Sequence, residues 1–230
     1  MATFVLVPGA WHGSWTFETV SPLLEQAGLT VHAPTLTGLR PDDDHTTIAN
    51  ANLDTHAFDV IDLLERAQIT DAILVGHSYG GMVITAAADR ASNRVSHLIY
   101  LDAYVPRHGD SCWSLTTENY RQSFINGATD TGHAVRPPFR VPHGGDPRRR
   151  PHPLASLVQT VQLTGAIDLI PKRDYIYCSG WENDTPFAAL RARLQADPSW
   201  HTHDIPTAHN AMRESPTTLA ELLINISTDN

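Results

Sequence analysis

The chain has 230 residues, 41% of them hydrophobic and 18% charged, which suits one globular domain with a sizeable core. Its formal net charge of −9 excludes the basic face that nucleic-acid binding needs. No apolar run reaches the roughly 20 residues that span a bilayer. The start, MATFVLVPG, lacks the basic and apolar regions of a signal peptide, so cytoplasmic residence is expected.

Short apolar runs then alternate with helical patterns. Strands are expected over residues 3–7 and 30–33, with a helix over 15–27 between them. A helix over 55–67 follows, in which Val60, Ile61, Leu63 and Leu64 recur at helical spacing around Asp59, Asp62 and Glu65. Next come a strand over 72–76, a helix over 79–91 and a strand over 97–101. The runs AILV and LIYL suit parallel strands buried on both faces. The rhythm resumes with strands over 174–178 and 201–205 and helices over 185–196 and 216–226, the last with Ser215 as N-cap and Pro216 at the first helical position. The pattern describes a single α/β domain spanning 1–230, a doubly wound, mostly parallel sheet of about six strands.

Residues 106–172 interrupt it. No clear strand is visible there, and HAVRPPFRVPHGGDPRRRPHP is rich in proline, glycine and arginine. A structureless loop of that length is unusual in a compact domain. The segment is read as an inserted lid, with helices over 113–126 and 153–163. Within it, Arg148, Arg149 and Arg150 are read as a solvated loop.

Cys112 and Cys178 make no metal or redox motif and no disulfide framework, consistent with a reducing compartment. The 13 histidines are scattered without HExxH-type spacing. His201 and His203 share one strand face but are read as a partly exposed edge, so no metal is expected, and acyl transfer calls for no organic cofactor.

Gly76-His77-Ser78-Tyr79-Gly80 matches the G-x-S-x-G nucleophile elbow, and it stands between a strand and a helix, the context that motif requires. The turn is tight enough that bulky residues two positions either side of the serine would collide. The start of the following helix turns N–H groups and a positive dipole end toward a developing oxyanion. Ser78 is therefore the expected nucleophile. A second oxyanion donor must come from the loop after the first strand, Pro8-Gly9-Ala10-Trp11-His12-Gly13-Ser14-Trp15.

VLVPGAWHGSW and GHSYGG, with TLTGL after the second strand and a histidine near the end, resemble the α/β-hydrolase superfamily. The likeness runs along essentially the whole chain, to the branch of plant methylesterases, salicylate-binding esterases and hydroxynitrile lyases. It implies the α/β-hydrolase fold, an oxyanion hole of the Ala10 and Tyr79 N–H groups, and a loop-structuring part for His12.

His209, in the loop between the last strand and the final helix, is the expected general base. The acid is less direct. In the plant relatives an Asp follows the strand matching DYIYC, in a pattern resembling C-T-x-D. Here the run is Cys178-Ser179-Gly180-Trp181-Glu182-Asn183-Asp184, with Trp181 at the acid position. Asp102 ends the apolar strand beside the nucleophile strand, where an unpaired carboxylate is costly. It is the preferred acid, with Asp184 and Glu182 as alternatives.

These residues imply a carboxylesterase or lactonase acting on a small ester or lactone, without nucleic acid or membrane as partner and with a homodimer allowed. Trp11, Trp113, Trp181 and Phe187 are candidate walls of an apolar or aromatic substrate pocket. A hydroxynitrile lyase is the first rival. In that group a Thr stands where this chain has Gly9 and a Lys where it has Asn210. A non-catalytic binding protein on the same fold is the second.

Overall fold

The structure, a computed structural model, describes residues 2–138, 146–181 and 185–228. In chain order its elements are β1 (Thr3–Val7), α1 (Val20–Gln26), β2 (Thr30–His32), α2 (His45–Asn50), α3 (Leu53–Arg66), β3 (Ala72–His77), α4 (Gly80–Arg90), β4 (Val95–Leu101), α5 (Cys112–Leu115), α6 (Glu118–Ala128), β5 (Ala134–Val135), β6 (His152–Pro153), α7 (Leu154–Val158), β7 (Lys172–Cys178), α8 (Phe187–Gln195), β8 (His201–Ile205), α9 (Ala211–Glu214) and α10 (Pro216–Thr228). Six strands form one parallel sheet in the order β2-β1-β3-β4-β7-β8.

Side chains alternate across the sheet, so its apolar runs feed two cores. Val5, Leu74, Leu98 and Tyr175 pack with Val60 and Leu64 of α3 and Met82 and Val83 of α4. Phe4, Leu6, Val75, Ile99 and Ile176 pack with Leu24 of α1 and Leu219 and Leu223 of α10. Both faces are thereby covered, which is why β3 reads as an unbroken apolar run.

The expected helix over 15–27 is divided into a 3-10 turn at Ser14–Phe17 and α1. Pro22 explains the break, because it has no N–H to donate one turn back and its ring opposes a helix continuing upstream. α3 starts earlier than expected because Asn52 and Thr55 form a capping box. The unexpected α2 is capped by the Asp44 carboxylate, which accepts from Thr47 N–H at 2.7 Å.

Within 106–172 the expected helix over 113–126 is two helices, α5 and α6, separated by extended Thr116 and Thr117. The second expected helix is only α7, after which Gln159 turns extended and bonds Asp54 through its side chain. The segment also holds the short antiparallel pair β5–β6, against the expectation of no strand. The arginine run is a loop with Arg148 exposed, as expected, but it is tied to the rest of the fold. Arg148 pairs with Glu18 and Asp146 and lies 4.5 Å over the Trp15 ring, and Arg150 donates its backbone N–H to Trp11 O. No helix among the described residues is long and apolar enough to cross a membrane.

Candidate active site

β3 delivers Ser78 at the carboxyl edge of the sheet, next to the end of β1 on one side and β4 on the other. Ser78 has φ +54°, a left-handed conformation that a serine adopts only when its surroundings impose it. They do so through its N–H, which donates to Leu101 O at 3.2 Å, and its carbonyl, which accepts from Gly81 and Tyr104 N–H. The elbow glycines are required by contact. A Cβ on Gly76 would lie 2.6 Å from Gly80 O, and one on Gly80 would lie 2.6 Å from Val7 O. α4 can begin against the end of β1 only because both positions lack side chains.

Asp102 mirrors Ser78 one strand away, with φ +42° just beyond β4. Its N–H donates to Ile176 O at 2.7 Å, which turns the side chain inward, where it is 1% exposed. One carboxylate oxygen accepts from Cys178 N–H at 3.3 Å, and the other lies 2.7 Å from His209 Nδ1. Every polar demand of this buried anion on that side is thus met. With Nδ1–H donating to Asp102, the neutral His209 ring keeps Nε2 as its acceptor nitrogen.

His209 occupies the loop between β8 and α9 and is held from several directions. His77 Nε2–H donates to its carbonyl at 2.9 Å. The rings of His77 and Trp181 lie 4.5 Å from its own, and Phe187 stacks on it at 5.6 Å and 11°. Burial, together with the nearby His209 and His12, pushes His77 well below the usual histidine range, so it stays a neutral donor. His77 had no role in the sequence reading beyond its place in the motif. Its spacing from His209 in the chain gives no hint of the contact.

The loop after β1 passes close to the nucleophile, since a Cβ on Gly9 would lie 3.0 Å from Ser78 Cβ. Ala10 and Tyr79, the two expected oxyanion donors, are both buried. Among the described residues neither backbone N–H donates to a protein acceptor. His12 does bind this loop, its Nδ1–H donating to Ala10 O at 2.7 Å, and burial lowers its pKa to about 4.

Of the candidate pocket walls, Trp181 and Phe187 flank His209. Trp11 instead turns toward the inserted segment, its Nε1–H donating to Val135 O at 2.8 Å and its ring 6.2 Å from Phe124. Trp113, within α5, packs against the core, and its carbonyl accepts from Arg121 Nε–H at 2.9 Å. The alternative acids Glu182 and Asp184 lie outside the described residues. A cleft of about 560 Å³ lined by Tyr100, Arg107, Arg193 and Trp200, among others, shares no residue with Ser78, Asp102 or His209.

No group of three or more His, Cys, Asp or Glu among the described residues is arranged to hold a metal ion. His201 and His203 do lie on the partly exposed edge strand, and His203 also serves a buried carboxylate. Asp174 lies 2.6 Å from both His97 Nε2 and His203 Nε2.

A parallel sheet with a strained serine between strand and helix, and an Asp–His pair at the same edge, defines the nucleophile-elbow class of α/β protein. The sequence agrees: the chain belongs to the α/β hydrolase family, which matches residues 4–223. It is similar to a carbendazim hydrolyzing esterase of Nocardioides sp. (strain SG-4G), 38% identical over 97% of this chain and 98% of that one. Salicylic acid-binding protein 2 of Nicotiana tabacum is 35% identical over 45% of this chain and 40% of its own length. Among solved structures, an extracellular α/β-hydrolase from a Paenibacillus species superimposes with a TM-score of 0.83 over 100% of both chains at 22% identity, a likeness of fold.

Proposed function

We propose that this chain hydrolyses carboxylic esters or lactones of small, apolar or aromatic molecules through an acyl-enzyme on Ser78. The observation that carries the reading is the 2.7 Å pair of His209 and buried Asp102 at the sheet edge where Ser78 is held at positive φ. Ester hydrolysis is also the activity named for the Nocardioides relative that matches along the full chain.

In this reading His209 Nε2 takes the Ser78 hydroxyl proton as Oγ attacks the substrate carbonyl carbon. The oxyanion accepts from the N–H groups of buried Ala10 and Tyr79, which make no competing bond among the described residues. Collapse expels the alcohol, which receives its proton from His209. Water, deprotonated by the same nitrogen, then releases the acid and restores Ser78. Asp102 holds the productive tautomer and stabilises the transient imidazolium, while Trp181 and Phe187 keep its surroundings apolar. Residues 106–172 form the lid of this site, a role supported by their grip on the loop after β1 through Val135, Arg150 and His152. Cytoplasmic residence belongs to the same proposal, supported by two buried free thiols; cell fractionation tests it.

Lyase chemistry is disfavoured by packing. A side chain at position 9 would begin 2.9 Å from His77 Nδ1 and 3.0 Å from Ser78 Cβ, leaving no room for a threonine. Screening aryl esters and lactones with wild type and Ser78→Ala tests the proposal. Wild type should turn over at least one class and show a stoichiometric acyl adduct on Ser78 by mass spectrometry, and Ser78→Ala should show neither. Full turnover by Ser78→Ala would eliminate the mechanism.

A further inference from the structure

The inserted segment places one buried histidine against the backbone of Trp11, which follows the Ala10 donor, and against the ring of Tyr79. His152, the first residue of β6, is fully buried. Its Nδ1 lies 3.3 Å from the Trp11 backbone nitrogen, and its ring stands edge-on to the Tyr79 ring with centroids 4.7 Å apart. We propose that His152 is a positioning residue for the oxyanion hole, gripping the Ala10–Trp11 peptide so that the Ala10 N–H stays aimed at the reacting carbonyl. This rests on the acyl-transfer reading above.

The Ala10 carbonyl and the Trp11 N–H belong to one peptide group, and that group is held at both ends. His12 donates to the carbonyl oxygen at 2.7 Å, and His152 accepts from the N–H on the other side. Such a grip is needed because Trp11 has φ +68°, a left-handed conformation that a non-glycine residue keeps only when its neighbours enforce it. The remaining anchors of Trp11, Arg150 N–H to its carbonyl and Val135 O to its indole N–H, come from the same inserted segment.

The proton positions on His152 follow from its partners. An amide can only donate, so Nδ1 is bare and Nε2 carries the hydrogen. Nε2–H then donates to Ser156 Oγ at 2.9 Å, and the Ser156 hydroxyl donates onward to Pro153 O at 2.8 Å. Burial, with His56 and His12 nearby, pushes His152 well below the usual histidine range, so the acceptor nitrogen stays bare. On the Tyr79 side, His56 Nε2–H donates to Thr37 O, and His56 Nδ1 accepts from the Tyr79 hydroxyl, both at 2.8 Å. The ring of Tyr79 is thereby pinned between its hydroxyl anchor and His152. The peptide that follows the Ala10 donor and the side chain of the Tyr79 donor thus lean on the same imidazole.

The test compares two substitutions with wild type on an aryl ester. His152→Leu keeps most of the volume but removes the acceptor, whereas His152→Asn keeps an acceptor oxygen near the position of Nδ1. His152→Leu should lower kcat by about 10- to 100-fold with KM within about twofold, the signature of a misplaced transition-state donor. His152→Asn should recover most of that loss, and both should keep the wild-type melting temperature to within a few degrees. Wild-type kcat in His152→Leu would overturn the proposal. So would an equal fall in the two variants, which would mark a packing role. If His152→Leu does not fold, His152→Asn decides alone: near-wild-type kcat supports the proposal and a loss of tenfold or more overturns it. Failure of the acyl-transfer reading is separable, because it would appear as activity surviving Ser78→Ala whatever position 152 holds.

Discussion

Asp102 is enclosed by β4, β7 and His209, and a carboxylate so removed from water is stable only while its acceptors are used. Asparagine at 102 would keep the shape but offer an N–H₂ or a single carbonyl oxygen to His209, and the wrong imidazole tautomer would follow. Asp102→Asn should therefore lower kcat by about 10³- to 10⁴-fold while the protein stays folded, measured by steady-state ester hydrolysis alongside circular dichroism. Asp184→Asn should stay near wild type, and the opposite pattern would move the acid to the other loop. The sequence points to Ser78 through the G-x-S-x-G elbow between a strand and a helix, and to Asp102 through a lone carboxylate that ends an apolar strand. His77 and His152 were not legible in it. Their value lies in a hydrogen bond to a residue 132 or 141 positions away, which no local pattern encodes.

Elements were legible in proportion to how much of their own stability they carry. β1, β3, β4 and β7 were found because their apolar runs are covered on both faces, and α3 because its apolar stripe faces the sheet. β5, β6 and α7 are two to five residues long and depend on neighbours, so their residues show neither period. The return of the inserted segment to the sheet illustrates this dependence. Asp89, in the last turn of α4, accepts from Thr164 N–H at 2.6 Å, Thr164 Oγ1 at 3.0 Å, Gly165 N–H at 3.1 Å and Ile167 N–H at 3.0 Å. Burial works against its charge, but hydrogen bonds from the backbone of Thr164 and Ile167 outweigh it and hold the carboxyl below its usual range. Asp89→Asn would turn an amide N–H₂ toward donors and leave part of this turn unsatisfied. It should lower stability by about 2–3 kcal/mol in urea titrations, with kcat of the folded protein unchanged. A change within 0.5 kcal/mol, roughly the background of a neutral surface substitution, would mean that the turn is held by its packing alone.

At the scale of the whole molecule, the sheet is joined across its last three strands by one carboxylate. Asp174 on β7 faces His97 on β4 and His203 on β8, both at 2.6 Å, and its side chain is 5% exposed. Burial alone would raise its pKa, but the hydrogen bonds from His203 and His97 reverse the shift and bring it to about 2 from an ordinary 3.8. The folded state thus binds this proton more weakly than the unfolded chain does. The resulting stabilisation is fully present above pH 3.8 and is lost as the pH falls through the folded value near 2. Asp174→Asn removes the titration while keeping the volume. Urea unfolding of both proteins between pH 5 and pH 2 should show the wild type ahead at pH 5, its advantage shrinking by on the order of 2 kcal/mol across the range. The carboxylate lies toward the far end of β7 from Asp102, so ester turnover near neutral pH should be the same in both proteins. A gap between the two that stays constant from pH 5 to pH 2 would show that the histidines bind Asp174 no more tightly than water does.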